Sequence, residues 1–270
     1  MSEAIDTAAF AVHAKNVRRM IVEMIYRAKC SHIGCSLSVA DILTALYFGV
    51  LRFDPAHPDD PKRDRLIMSK GHGVAALYAT LAERGFFARE ELDSYGTDGT
   101  RLASHVVRNA LPGTETSNGS GGHGLSLGIG MAIAARNAGN GARIFVVSGD
   151  GELEEGSVWE ALLFGSHHGL ANVTMVVDQN GMQSEGSTET IIGIEPLADK
   201  FRAFGWDAAV VDGHDFTQLI PAFSHSGSRP RVVIAKTTKG KGVSYMENKW
   251  QWHNSSPNDE QYKIAMEELS

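Results

Sequence analysis

The sequence predicts an α/β fold, a mostly parallel sheet flanked by helices, and three observations carry that reading. Short apolar runs bounded by turn residues alternate with stretches whose apolar residues recur at helical spacing. Two of those runs, residues 142–148 and 173–177, frame one helical stretch, residues 158–168, as in a parallel βαβ unit. The chain has 270 residues, enough for one α/β domain with a substantial core.

Along the chain, residues 16–29 put Val17, Met20, Ile21, Met24 and Ile25 on one helical face, with Arg18, Arg19 and Glu23 mostly off it. Residues 39–50 read as a second apolar helix, with Ser38 as its cap and Asp41 three residues on. Residues 53–65 are rich in proline and charge and predict an exposed connection; residues 74–84 are helical again. Residues 123–137 are apolar nearly all round and carry Gly124, Gly128 and Gly130, which predicts a buried helix approached closely by another backbone. Residues 206–211 and 231–237 supply two more strands. The chain shows no repeats and no low-complexity tract.

The formal net charge of −7 gives no electrostatic reason to expect nucleic acid or an acidic membrane as partner. Residues 1–6 are acidic and lack the basic-then-apolar pattern of a signal peptide, and no apolar run reaches the roughly eighteen residues of a membrane helix. The expected location is the cytoplasm. Cys30 and Cys35 flank His32, but a zinc site needs about four ligands and no second pair has familiar spacing. Two free thiols in a reducing compartment are expected instead.

The chemistry concentrates where those strands end. Gly149–Asp150–Gly151 follows one strand and Asn180–Gly181–Met182 the next. In a parallel βαβ unit both turns open on one crevice, the usual ligand site of such sheets. Asp150 offers a carboxylate, Asn180 an amide oxygen and the following turn a carbonyl, hard donors suited to magnesium or calcium. About half of a roughly six-coordinate shell stays open for a diphosphate, beside the N–H of Gly151. Asp-Gly and Asn-Gly are also common turn pairs, so either alone means little; the two together, framing one helix, point to a cofactor. The glycine loop at residues 118–124 leads into a helix start, whose unpaired N–H groups are suited to a phosphate.

The stretch from Gly149-Asp150-Gly151-Glu152 through Glu155 to Asp178-Gln179-Asn180-Gly181-Met182 resembles the thiamine diphosphate motif of transketolases. The resemblance runs from about Val17 to Lys263 and rests on further blocks in the right order. These are Ser31-His32-Ile33-Gly34, Ser69-Lys70-Gly71-His72-Gly73, Ser104-His105, Asn118 to Gly124, and Lys239-Gly240-Lys241-Gly242-Val243 followed by Trp252-His253. The family's chain is more than twice as long, and the match ends with its diphosphate-binding domain. The resemblance therefore implies that residues 1–270 form one such domain, the N-terminal subunit of a split, two-chain transketolase. The pyrimidine-binding domain, with its glutamate, and the C-terminal domain are expected on a partner, in an α2β2 assembly.

By the same resemblance, thiamine diphosphate and magnesium (or calcium) are the cofactors, and the reaction moves a two-carbon ketol unit from a ketose phosphate to an aldose. Asp150, Asn180 and the Met182 carbonyl would hold the metal; Gly119, Gly121 and Gly151 lie at cofactor positions. His72 and His253 match residues near the diphosphate, and His32 and His105 match residues that hold sugar hydroxyls or move protons. Glu155 matches an acid at the subunit contact, though an acidic helix start is favoured in any case by the helix dipole. His214, in Asp212-Gly213-His214-Asp215, reads as a turn-shaping residue. The chain departs from the family at Ser31-His32-Ile33-Gly34 for Gly-His-Pro-Gly, at Ser104-His105-Val106 for Gly-His-Pro, and at Gly121 for a leucine that packs on the thiazolium ring. A leucine fully buried there contributes about 1–3 kcal/mol. These changes surround the substrate and the ring while the metal motif is intact, so an unusual ketose is expected: deoxygenated, branched or sulfonated. Two alternatives are a non-catalytic subunit that holds the cofactor and the α subunit of a 2-oxo acid dehydrogenase. Four histidine blocks suit a polyhydroxy sugar better than a keto acid. Deoxyxylulose phosphate synthase is nearer in sequence but is normally one long chain.

Overall fold

The computed structural model describes residues 5–270; residues 1–4, the start of the segment read for a signal peptide, lie outside the described residues. Strands β1 (Arg65–Met68), β2 (Ile144–Gly149), β3 (Val173–Gln179), β4 (Asp207–Asp212) and β5 (Arg231–Lys236) form one all-parallel sheet in the order β1-β2-β3-β5-β4. The helices are α1 (Thr7–Ala28), α2 (Ile33–Ser38), α3 (Ala40–Ala45), α4 (Val74–Glu83), α5 (Gly124–Ala138), α6 (Gly156–His167), α7 (Thr188–Ile191), α8 (Leu197–Ala203), α9 (Phe216–Ser224) and α10 (Asp259–Glu268). No helix among the described residues is long and apolar enough to cross a membrane.

Period-two alternation sorts the strand residues into two cores. Phe145, Val147, Val176 and Val233 face one side, with residues of α1, α3, α4 and α9. Ile144, Val146, Met175, Val177 and Ile234 face the other, with residues of α5, α6 and α8. Covered on both faces, β2 is buried along its whole length, which is why it reads as an unbroken apolar run.

The helix expected over residues 39–50 is present, as α3 from Ala40 continued by a wider helical turn over Leu46–Val50, and α2, ending at Ser38, precedes it. Four expectations need correction. Ser38 caps nothing; its hydroxyl donates to Asp178 at 2.7 Å. Arg18 is buried rather than off the apolar face of α1, because Asp41 neutralises it. β1 lies at the end of the expected connection and is too short, at four residues, to show a period. Lastly, α5 is buried on one face only. Gly128 lets it approach the sheet, since a β-carbon there would lie 2.6 Å from Val146 Cγ2, whereas Gly130 faces open space and Leu127 is 42 % exposed.

Asp64 ties the start of β1 to the start of β2. It accepts from the backbone N–H groups of Arg52 at 2.8 Å and Arg143 at 2.9 Å, and from both guanidinium groups. Burial works against its charge, and the Arg52 and Arg143 hydrogen bonds outweigh it and hold the carboxyl below the usual range. A depressed carboxylate stabilises the fold above its unfolded pKa, and that contribution fades as pH falls through the folded value. Asp64→Asn is therefore expected to cost about 2 kcal/mol near neutrality. Melting curves from pH 7 down to pH 2.5 should show the gap to wild type narrowing below about pH 4; a gap that stays constant rules the linkage out.

Candidate active site

All five strands run the same way, so the residues that follow them emerge at one edge of the sheet, where open α/β sheets bind ligands. Lys70 and His72 follow β1, Asp150 follows β2, Asn180 and Met182 follow β3, and Lys239 follows β5. These six residues line one cavity, together with His253 and Cys35.

Asp150 is 2 % exposed. Its Oδ1 accepts from Gly151 N–H at 2.9 Å and its Oδ2 from Gly181 N–H at 2.6 Å, so one carboxylate closes both turns. Asn180 Oδ1 accepts from Met182 N–H at 3.1 Å. Burial, and then the neighbouring Asp178, push the Asp150 carboxyl up to about 6; the two N–H donors and Lys70 do not compensate. Across the same cavity Lys239 is fully buried. Its Nζ donates to the Gln183 carbonyl at 3.1 Å and the Met182 carbonyl at 3.4 Å, and lies 3.0 Å from His253 Nδ1. Burial pushes this ammonium below the ordinary lysine range. Gly34 makes room for it, since a β-carbon there would lie 3.1 Å from Lys239 Cγ.

The four histidines singled out from the sequence gather in one cluster. The His32 ring lies 5.7 Å from His72, 5.5 Å from His105 and 5.3 Å from His253, and His72 lies 5.3 Å from His253. Burial drives His32 down to about 4 and His253 to about 3, and His72 goes well below its usual value; nearby His105, Lys239, Lys70 and the other rings add to this. These three imidazoles are neutral near pH 7, each with one donor and one acceptor nitrogen. His32 holds a left-handed backbone, φ 72°, fixed by its N–H donating to the His253 carbonyl at 2.7 Å.

Other expected site residues lie outside that cluster. Gly119 sits against His105, with a β-carbon position 3.4 Å from the ring. Gly121 lies beside Glu155 and Glu152, and Glu155 is exposed at the start of α6. Two N–H groups of the glycine loop are already used: Gly122 donates to Glu152 Oε1 at 2.9 Å and Gly124 to Ser69 Oγ at 3.1 Å. These two do not face a phosphate. Glu152 also accepts from Ser69, from Ser148 Oγ at 2.8 Å and from Gly149 N–H at 3.3 Å, so it fastens the ends of β1 and β2 to the loop.

Sequence reasoning missed Lys70, Asp178, Glu152 and Lys239 as individual residues. Lys70 and Asp178 form an ion pair with no side-chain exposure, to which Ser38 and Thr237 add hydrogen bonds. Burial alone would lower Lys70, but Asp178 outweighs it and holds the ammonium above its usual value. The available signal was a lysine followed by glycine just past a strand, in both Lys70-Gly71 and Lys239-Gly240.

The donor set fits the expected groups. A hard divalent cation beside Asp150 and an anionic diphosphate beside Lys239 would each bring the charge that a buried group lacks. Among the described residues no cluster of three His, Cys, Asp or Glu could hold a metal, so a cation here would depend on amide and carbonyl oxygens as well.

Residues 10–269 match the family model for the transketolase, thiamine diphosphate binding domain. An apulose-4-phosphate transketolase subunit of Phocaeicola vulgatus is 43% identical over 256 residues, covering 94% of this chain and 91% of that one. The 6-deoxy-6-sulfo-D-fructose transketolase subunit SqwG of a Clostridium species is 40% identical over 261 residues, with 95% of each chain covered. Among solved structures, transketolase from Campylobacter jejuni superposes with a TM-score of 0.91 at 28% identity. That match takes in 98% of this chain but only 43% of the solved one, so this chain spans less than half of that transketolase's length. The chain belongs to the transketolase family, and its fold is that family's thiamine diphosphate-binding domain.

Proposed function

We propose that this chain is the cofactor-bearing N-terminal subunit of a two-chain, magnesium-dependent transketolase that moves a ketol unit from a ketose to an aldose. The observation that carries the reading is the pair of buried charges, Asp150 and Lys239, facing one cavity under a cluster of neutral histidines. Asp150, Asn180 and the Met182 carbonyl would hold the cation. Lys239, His72 and His253 face the diphosphate, with Gly151 beside it, its N–H turned to Asp150, and Gly119 and Gly121 border the rest of the cofactor. Bound thiamine diphosphate supplies the carbanion chemistry that opens and forms the C–C bond. His32 and His105 orient sugar hydroxyls, and the neutral His32 ring can both accept and give a proton. Residues 1–270 act as one diphosphate-binding domain.

The partner supplies the pyrimidine-binding domain and its glutamate. The near-complete match to proteins named as subunits supports a partner, and so do exposed apolar side chains on α5 and α6. Leu127 on α5, with Leu163 (59 % exposed) and Phe164 on α6, stands open to solvent, and the exposed Glu155 heads α6. An α2β2 complex in the cytoplasm follows from this reading. The donor is an unusual ketose, as the altered Ile33, Val106 and Gly121 positions suggest. One relative is named for a sulfonated deoxyketose and another for apulose 4-phosphate.

Native mass spectrometry of the tagged chain, isolated from its own cells with magnesium and thiamine diphosphate, should show a second polypeptide and bound cofactor. With that complex, 6-deoxy-6-sulfofructose or apulose 4-phosphate should give kcat/KM at least about tenfold above xylulose 5-phosphate, the discrimination one buried contact supplies. Preference for xylulose 5-phosphate would remove the donor assignment. A lone chain that retains no cofactor would remove the enzyme assignment.

A further inference from the structure

The loop after β5 carries Lys239 into the cavity, and contacts on either side of that lysine lead back to one buried carboxylate. Asp41 in α3 accepts two hydrogen bonds from the Arg18 guanidinium, at 2.9 and 2.7 Å, and a third from His214 Nδ1 at 2.6 Å. Both partners reach past it. Arg18 Nε donates to the Lys241 carbonyl at 3.1 Å, and Thr238 N–H donates to His214 Nε2 at 2.9 Å. Because Nε2 accepts, the imidazole proton sits on Nδ1, where it faces Asp41; this single neutral tautomer satisfies both bonds. Burial works against the Asp41 charge, and Arg18 and His214 outweigh it. None of Arg18, Asp41 and His214 lines the cavity.

We propose that Asp41 and His214 are positioning residues that hold the Lys239 ammonium in place for the diphosphate, acting through the backbone of residues 238 and 241. A lysine side chain is a flexible stem whose charge is placed only as well as its backbone is fixed. The remaining anchors act on other groups of the loop: Asn248 N–H donates to the Lys239 carbonyl at 2.9 Å, Gly240 N–H donates to the Gly34 carbonyl at 2.9 Å, and Thr237 donates to Asp178; none of them replaces the bonds at the Thr238 N–H and the Lys241 carbonyl. With Asp41 removed, Lys241 and Thr238 lose their anchors together, because one carboxylate orients both. The inference rests on the reading of Lys239 as a diphosphate group.

The test is a double-mutant cycle in the complex with the partner subunit, read by calorimetric titration of thiamine diphosphate with magnesium. Lys239→Met is expected to weaken binding at least about tenfold, the worth of a charged hydrogen bond. His214→Ala should weaken it by about the same factor, and the pair of changes should be no worse than Lys239→Met alone. Effects that multiply, or a His214→Ala protein that binds like wild type, overturn the positioning role. If Lys239→Met leaves affinity unchanged, the diphosphate reading of Lys239 fails first and the positioning role falls with it. Should His214→Ala fail to fold, Asp41→Asn, which keeps the shape of the site, serves in the same cycle.

Discussion

Lys70→Met is expected to cost about 3–5 kcal/mol of folding stability, the largest loss of any single change at the site. Lys70 and Asp178 have no side-chain exposure, so removing the ammonium leaves a carboxylate with no cation at the end of β3. Burial already disfavours that charge; Lys70, then the hydrogen bonds from Lys70, Ser38 and Thr237, are what hold Asp178 ionised and below its usual range. Those two hydroxyls cannot replace a cation. The Lys70 ammonium also donates to the Cys35 carbonyl in α2 at 3.1 Å, so its loss leaves that carbonyl with the Ser38 hydroxyl, at 3.0 Å, in its place. Denaturant unfolding of Lys70→Met, Asp178→Asn and the double variant checks this. The double variant should recover a large part of the single losses, because no charge remains stranded. A Lys70→Met protein within about 1 kcal/mol of wild type would show that water reaches Asp178.

How much of this was legible in the sequence depends on the kind of residue. β2 and β3 read clearly because strands buried on both faces are continuous apolar runs, and the turns behind them named Asp150 and Asn180. The four histidines were found one by one through their blocks, but their convergence depends on which strand ends lie side by side, and that is a property of the sheet order. Lys70 and Lys239 were within those blocks and still passed over, since a lysine reads as a solvated charge until a fold buries it. Ser38 reads as a helix cap for a related reason: its pairing with Asp178, a contact 140 positions away in sequence, exists only in the fold. His214 reads as a turn residue, and only the fold brings it to Asp41. Local pattern found the elements and the metal turns; the charge network behind them is long-range.

Asp150→Asn is the opposite case from Lys70→Met, although it also alters a buried charge at the same sheet edge. Cofactor affinity is expected to fall at least about a hundredfold, because loss of even an outer-shell partner costs 10–100-fold and Asp150 is the only charged ligand proposed here. Stability of the apo protein should change little, by about 1 kcal/mol or less. The reason is that Asp150 is not paired in the way Asp178 is. Its carboxyl is raised to about 6, so above that pH ionisation in the fold opposes stability, and the amide relieves this. Against that relief, the amide loses one of two acceptors, since its NH2 group only donates and its one oxygen is left for the Gly151 and Gly181 N–H groups. The two effects nearly cancel without cation. With magnesium and thiamine diphosphate present, wild type should melt several degrees higher than without them, while Asp150→Asn should not shift. Melting with and without ligands, beside a calorimetric titration, separates the cases. A variant that binds like wild type removes Asp150 from the metal site. One that unfolds by several kcal/mol in the apo state makes the carboxylate a structural support and leaves the cavity without its cation ligand.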